Sequence, residues 1–233
     1  LTDFFKDDGK GVSITLPLKE AALNYADEIS DRARLASACN VIYAKDERLF
    51  ADCTDGYGFT KDIEENLNVP VKDKKILILG AGGAARGIIP SIIEKKPAKL
   101  KVANRTESKA LLLREDLEAK IDLKEKNTIF EAGDLSDDFL LADSYDLVIN
   151  STSISTQTGE SLGLPKALFS GTKLAYDLFY SAEKTVFIQE ALAGGAEKVS
   201  DGWGMLVEQG AESFRLWTNL IPDTSRLLEK PID

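Results

Sequence analysis

The chain has 233 residues, with 39 acidic side chains against 29 basic ones and no histidine. Without an imidazole it excludes hydrolases built on a histidine base and metal sites built on imidazole, so proton transfer falls to Lys, Asp, Glu or Tyr. A net charge of −10 argues against a general polyanion binder, which needs a basic face, and no nucleic-acid partner is expected. The 43% hydrophobic content suits a folded core, and no apolar run reaches the roughly eighteen residues that cross a membrane. Cys39 and Cys53 match no metal-binding or disulfide pattern, so a reducing cytoplasm and no metal are expected.

Along the chain, strand-like and helix-like stretches alternate. Residues 11–16 are predicted as a strand ended by Pro17, and residues 19–29 as a helix with Ala21, Leu23, Tyr25, Ala26 and Ile29 available for packing. Residues 41–43 and 48–51 read as strands joined by a polar turn over 45–47, and residues 57–67 as a helix. The pattern then sharpens into strand 75–79, helix 84–93, strand 100–103, helix 108–118 and strand 146–150. Residues 174–179, 185–193 and 198–199 continue the alternation, a long helix covers 205–218, and a shorter one follows Pro222. Strands separated by helices predict an α/β protein with a doubly wound parallel sheet.

Directly after strand 75–79 come Gly80, Ala81, Gly82, Gly83, Ala84 and Ala85. A dinucleotide fold needs glycine for a tight turn and for close backbone approach to a pyrophosphate, and a small residue where helix meets strand. The helix N-terminus then offers free N–H groups to the phosphates. At the end of the next strand, where NAD enzymes place an acidic residue, stand Asn104, Arg105 and Thr106, with Ser108 and Lys109 beyond. A guanidinium and an ammonium would bind a 2′-phosphate that a carboxylate would repel, which favours NADP as the cofactor. Ordinary solvated charges at Arg105 and Lys109 are the alternative reading.

A dehydrogenase also needs a proton donor for a carbonyl oxygen. Lys19 and Asp55 are the candidates, each at an element end among small or polar neighbours. On spacing alone each reads more readily as a solvated surface charge than as a catalytic group.

The chain carries, in order, Gly11-Val12-Ser13-Ile14-Thr15-Leu16-Pro17-Leu18-Lys19, Ala38-Cys39-Asn40, Asp52-Cys53-Thr54-Asp55-Gly56, the glycine loop with Asn104-Arg105-Thr106, Asn150-Ser151-Thr152-Ser153, Tyr176-Asp177-Leu178-Phe179-Tyr180, and Asp201-Gly202-Trp203-Gly204-Met205-Leu206-Val207-Glu208-Gln209. Together these resemble the shikimate dehydrogenase family of aromatic amino-acid biosynthesis. The resemblance runs from residue 11 to the end. It implies two domains, a Rossmann-type NADP domain over 57–203 and a smaller α/β substrate domain over 1–56 completed by 204–233. It implies NADPH-dependent reduction of 3-dehydroshikimate to shikimate, a small-molecule substrate, and Lys19 with Asp55 as the catalytic pair. Thr15, Asn40, Tyr180 and Gln209 then match substrate-binding positions. Gly80 to Ala84 and Asn104 to Lys109 match pyrophosphate and adenosine-phosphate contacts, and Leu178, Gly202 and Met205 match residues lining the nicotinamide. Asp31 matches an acidic position sometimes associated with the cofactor.

The sequence departs from the family in three places. A βα segment with a paired serine that binds the substrate carboxylate precedes the equivalent of Gly11 in the family. Its absence here reads as a fragment with an incomplete substrate domain and an open sheet edge. Cys53 stands where relatives commonly have Asn, and Val41 where many have Thr. Two other functions stay in view: a quinate/shikimate dehydrogenase using NAD or NADP, and a truncated NADP-binding relative without catalysis. A monomer and a homodimer are equally compatible with the sequence.

Overall fold

The computed structural model describes residues 2–15, 17–152 and 161–229. Leu16, at the end of the first expected strand, and Ser153, in the Asn150–Ser153 motif, lie outside them. The chain forms two compact units: residues up to Asp62, Arg86–Ser91 and Gly204 onward make the first, and Ile63–Ala85 with Ile92–Trp203 the second. The first change of unit thus falls after Asp62 rather than at the expected 56, and part of one helix groups with the first unit.

After a short α1 (Thr2–Lys6), the first unit is built on a four-stranded sheet in the order β1-β3-β4-β2. β1 (Gly11–Ser13) runs antiparallel to β3 (Val41–Lys45), which pairs antiparallel with β4 (Arg48–Asp52). The β3–β4 hairpin turns through Asp46 and Glu47, both at positive φ, the two-residue geometry whose twist matches the flanking strands. α2 (Asp31–Ala36) starts at Ser30, whose side chain accepts the Ala33 N–H, and ends at Ser37 in the left-handed region. α3 (Asp55–Lys61) follows β4 and passes into one π-helical stretch, Asp62–Asn66, where a single helix was expected. Small side chains dominate this core: Ala22, Ala33, Ala36, Cys39, Ala51 and Cys53 pack with Ile42.

The expected helix over 19–29 is not formed. Only Ala21–Tyr25 coil, as a 3₁₀ turn, and Glu28–Ile29 form β2, parallel to β4. The cause is tertiary: Asp27 and Ser30 donate their N–H groups to the Leu49 and Ala51 carbonyls, so sheet pairing takes over the segment that local apolar spacing would coil.

The second unit is a six-stranded, wholly parallel sheet in the order β10-β9-β8-β5-β6-β7. In chain order it contains β5 (Lys75–Leu79), α4 (Gly83–Glu94), β6 (Lys99–Ala103), α5 (Glu107–Glu118), α6 (Leu123–Lys126), β7 (Ile129–Gly133), α7 (Asp137–Leu140) and β8 (Leu147–Asn150). β9 (Leu174–Asp177), α8 (Val186–Gly194) and β10 (Val199–Ser200) complete it. This is the strand order of dinucleotide-binding sheets, with the reversal between β5 and β8, where such folds bind their ligands. β8 and β9 are buried along their whole length, β5 after its first residue, as strands covered on both faces require. β7, absent from the sequence reading, pairs with β6 at one edge.

α9 (Trp203–Thr218) carries the chain back to the first unit, followed by α10 (Ser225–Leu228). Gly58 lets α9 lie close on α3: a Cβ there would sit 2.5 Å from the Gln209 nitrogen.

Candidate active site

In the first unit, Lys19 Nζ donates to Asp55 Oδ2 at 2.6 Å, with side chains 20% and 10% exposed. Asp55 opens α3 and Lys19 lies in the turn after β1, held there because the Cys39 N–H donates to the Lys19 carbonyl. Asn40 is the hub behind them. Its Nδ2 reaches Asp55 Oδ1 (2.9 Å), Thr54 Oγ1 (2.8 Å) and Gln209 Oε1 (2.9 Å), while its Oδ1 accepts the Thr54 N–H at 2.7 Å. A flipped amide would turn its oxygen toward the Asp55 carboxylate and its NH₂ toward the Thr54 N–H, so this network admits one orientation. Gln209, on α9, also donates from Nε2 to the Leu206 carbonyl. Thr15 is exposed, one residue beyond Ile14, whose N–H donates to the Asn40 carbonyl. Lys19, Asp55, Asn40 and Gln209 are therefore brought together, with Thr15 near them along the chain.

A second polar cluster, unforeseen in the sequence, backs this one. Arg32 Nε and Nη2 donate to the two Asp52 oxygens at 3.0 and 2.7 Å, and Nη1 donates to Glu212 Oε1 at 3.0 Å. Arg215 doubly donates to Glu212 at 2.7 and 2.8 Å. Burial alone would raise the Glu212 carboxyl, but the hydrogen bond from Arg215 and the charge of Arg32 outweigh it and hold it below the usual 4.5. A carboxyl depressed on folding adds stability that is complete above its unfolded pKa and lost as pH falls through the folded one. Glu212→Gln should therefore be less stable than wild type near neutral pH. It should also show a shallower loss below about pH 4.5, both read as urea midpoints. Equal acid slopes in the two proteins would contradict this.

The second unit holds the expected cofactor residues. Gly80, Ala81, Gly82, Asn104, Arg105, Thr106, Lys109, Ser151 and Thr152 line a cavity of about 290 Å³ with Leu135 and Leu162. Gly80 has φ +104°, a backbone state that favours glycine, and a Cβ on it would lie 2.6 Å from Ser151 Oγ. Gly82 is the N-cap of α4, and a Cβ on it would meet nothing within 4 Å, so its backbone faces open space. Gly83 and Ala84 are the first two residues of α4. The Gly80 N–H donates to the Ala103 carbonyl, tying the loop to the end of β6, and Asn104 Nδ2 donates to the Thr106 carbonyl, closing the next turn. Arg105 and Lys109 are exposed and make no ion pair among the described residues. A dinucleotide carrying a 2′-phosphate fits this donor set: free helix N–H groups under open space, and unpaired cations beside them.

At the C-terminal end of β9, Asp177 is fully buried. It accepts from Asn150 Nδ2 (3.1 Å), the Phe179 N–H (3.2 Å) and Thr185 Oγ1 (2.6 Å), and burial pushes its carboxyl above the usual 3.8. The segment after it carries Leu178, half-buried, and Tyr180, exposed, with its ring 5.9 Å from Phe179 and from Trp203. Gly202 packs under this segment: its N–H donates to the Phe179 carbonyl, and a Cβ would lie 2.2 Å from the Leu178 oxygen. Leu178, Tyr180 and Gly202 thus belong to the second unit and Met205, on α9, to the first. Asp31 occupies the first turn of α2 in the first unit, apart from the cavity-lining set.

Three family profiles match the chain. They are a shikimate dehydrogenase substrate-binding domain over residues 1–42, shikimate/quinate 5-dehydrogenase over 62–160, and a shikimate 5′-dehydrogenase C-terminal domain over 202–229. The shikimate dehydrogenase (NADP(+)) of Chromobacterium violaceum is 42% identical over 225 residues, which are 97% of this chain and 79% of that protein. Among solved structures, an Ael1 enzyme from Pseudomonas putida aligns with TM-score 0.88 at 38% identity, over 98% of this chain and 80% of that one. Shikimate 5-dehydrogenase from Thermus thermophilus, in complex with NADP(H) and shikimate, aligns with TM-score 0.80 at 36% identity, over 94% and 77%. The chain belongs to the shikimate dehydrogenase family.

Proposed function

We propose that the chain catalyses the reversible, NADP-dependent interconversion of 3-dehydroshikimate and shikimate, with Lys19 as acid/base and Asp55 as its partner. The observation that carries this reading is the Lys19–Asp55 pair, bonded at 2.6 Å and braced by Asn40 and Gln209. An ammonium has three N–H bonds and Asp55 takes one, leaving donors for a substrate oxygen. In the reducing direction Lys19 gives a proton to the carbonyl oxygen as it becomes a hydroxyl, and in the oxidising direction its amine takes that proton back. The cofactor, when bound, would supply the hydride as NADPH in the reducing direction and accept it as NADP⁺ in the oxidising one.

Asn40, Gln209, Thr15 and Tyr180 would hold the substrate's hydroxyls and carboxylate, and Leu178, Gly202 and Met205 would line the nicotinamide. The glycine loop would hold the pyrophosphate, and Asn104, Arg105, Thr106 and Lys109 the adenosine phosphate. Cys39 and Cys53 are free and buried, which fits a reducing cytoplasm, and burial pushes their thiols up to about 11 and about 12, so both are poor nucleophiles.

The test is an absorbance assay of NADP reduction by the full chain with shikimate, run in parallel with quinate and with NAD. Turnover with shikimate and NADP well above the other three combinations is the expected result. Preference for quinate would make the chain a quinate/shikimate dehydrogenase. NADP binding with no turnover of either acid would overturn catalysis.

A further inference from the structure

We propose that Arg32 is a positioning residue for the reaction: by joining Asp52 to Glu212 it fixes Gln209, and through Gln209 the Asn40 amide that holds Asp55. The inference rests on the function proposed above.

Arg32 stands in the first turn of α2 and uses three nitrogens on two buried carboxylates from distant parts of the chain. Asp52 is the last residue of β4, just before Thr54 and Asp55, and its carbonyl accepts the Asn40 N–H at 3.1 Å. Its Oδ1 also accepts Ser30 Oγ (2.5 Å) and the Cys53 N–H (2.7 Å), so the clamp grips the strand end immediately before the catalytic pair's aspartate.

Glu212 lies one helical turn after Gln209 on α9. Ser213, next to it, donates to the Gln209 carbonyl at 2.9 Å and meets Thr54 Oγ1 at 3.1 Å. Arg32 therefore crosslinks β4 and α9 beside the two points where Gln209 and Thr54 enter the Asn40 network. The requirement is geometric. A planar guanidinium can satisfy a two-oxygen partner edge-on and a third oxygen from its remaining nitrogen, whereas a lysine ammonium is a point charge without that fork. Small displacements at a reacting centre are costly in rate, with about 1 Å able to cost on the order of 10²-fold.

The experiment compares Arg32→Lys, Gln209→Ala and the double variant of the full chain, with steady-state kinetics in shikimate and NADP and a thermal unfolding curve for each. Arg32→Lys is expected to lower kcat/KM for shikimate by about 10-fold or more, with the KM for NADP within about 2-fold of wild type. In the Gln209→Ala background the same change should cost clearly less than in wild type, because the route through Gln209 is gone and only the Asp52 grip on β4 remains. Effects that multiply in the double variant would reduce Arg32 to a scaffold role and overturn the proposal, as would wild-type kinetics in Arg32→Lys.

Should Arg32→Lys fail to fold, Glu212→Gln takes its place in the same cycle, since it keeps shape and an acceptor oxygen while removing the charge. Failure of the underlying reading has a different signature. Gln209→Ala and Asn40→Ala would then both leave the KM for shikimate unmoved in an active enzyme, removing the site assignment and this inference with it.

Discussion

Lys19→Ala is expected to lower turnover of shikimate by about 10²–10⁴-fold, the range a positioned general acid/base contributes, while NADP binds as in wild type. Lys19 Nζ is 2.6 Å from Asp55 Oδ2, and Asp55 is fixed on its other oxygen by Asn40, so alanine removes the amine that would hand a proton to the substrate oxygen and take it back. The residues lining the cofactor cavity all belong to the second unit and Lys19 to the first, so the two effects are separable by measurement.

Lys19→Arg sharpens the test. It keeps the charge and a hydrogen bond to Asp55, but a guanidinium does not release its proton in proteins, so turnover should stay low. Single-turnover kinetics with shikimate, alongside an NADP titration followed by tryptophan fluorescence, would check both variants. Turnover near wild type in Lys19→Ala would remove the lysine from the mechanism, and recovery in Lys19→Arg would show that charge alone suffices.

Why the sequence shows Lys19 and Asp55 yet hides what supports them is a question of chain distance. The cofactor unit is legible because its signals are local: an apolar run at 75–79, a glycine turn, and a helix start that the structure places one residue before the expected Ala84. The first unit is less legible because its elements are set by pairing. Residues 19–29 have helical spacing, but the β4 carbonyls draw Asp27 and Ser30 into the sheet. α2 does carry a local signal, Ser30 as N-cap three residues before Ala33, whose N–H it accepts, but six residues are too few to show a helical period. The Arg32–Asp52–Glu212 clamp had none, since 180 residues separate Arg32 from Glu212 and either alone is an ordinary surface charge in a sequence. Asn40 falls between these cases: the family motif marks it, but only the structure shows one amide serving Asp55, Thr54 and Gln209 together.

Removing Arg105, in the turn after β6, and Lys109, in the first turn of α5, is expected to abolish the preference for NADP over NAD. Arg105 and Lys109 line the cavity and are exposed, and among the described residues neither has a carboxylate partner. That is informative in a chain of net charge −10, where Lys75, Lys99 and Lys101 all share Asp143 and Lys126 meets Glu94. Cations left unpaired beside a helix N-terminus are poised for an anion from outside the chain.

A hydrogen bond to a charged group contributes about 1.5–3 kcal/mol, so each lost contact should cost about 10- to 150-fold in affinity for the 2′-phosphate. NAD lacks that group and should be little affected. Arg105→Ala with Lys109→Ala should therefore reduce the ratio of kcat/KM for NADP to that for NAD by at least about 10²-fold, chiefly through the NADP value. Adding Thr106→Asp should push the ratio past unity, because a carboxylate there repels the phosphate and can accept the ribose 2′-hydroxyl. The turn that would present it is already ordered by the Asn104 side chain on the Thr106 carbonyl. A ratio unchanged by the double substitution would mean that Arg105 and Lys109 are solvated surface charges after all, and that discrimination comes from elsewhere in the cavity.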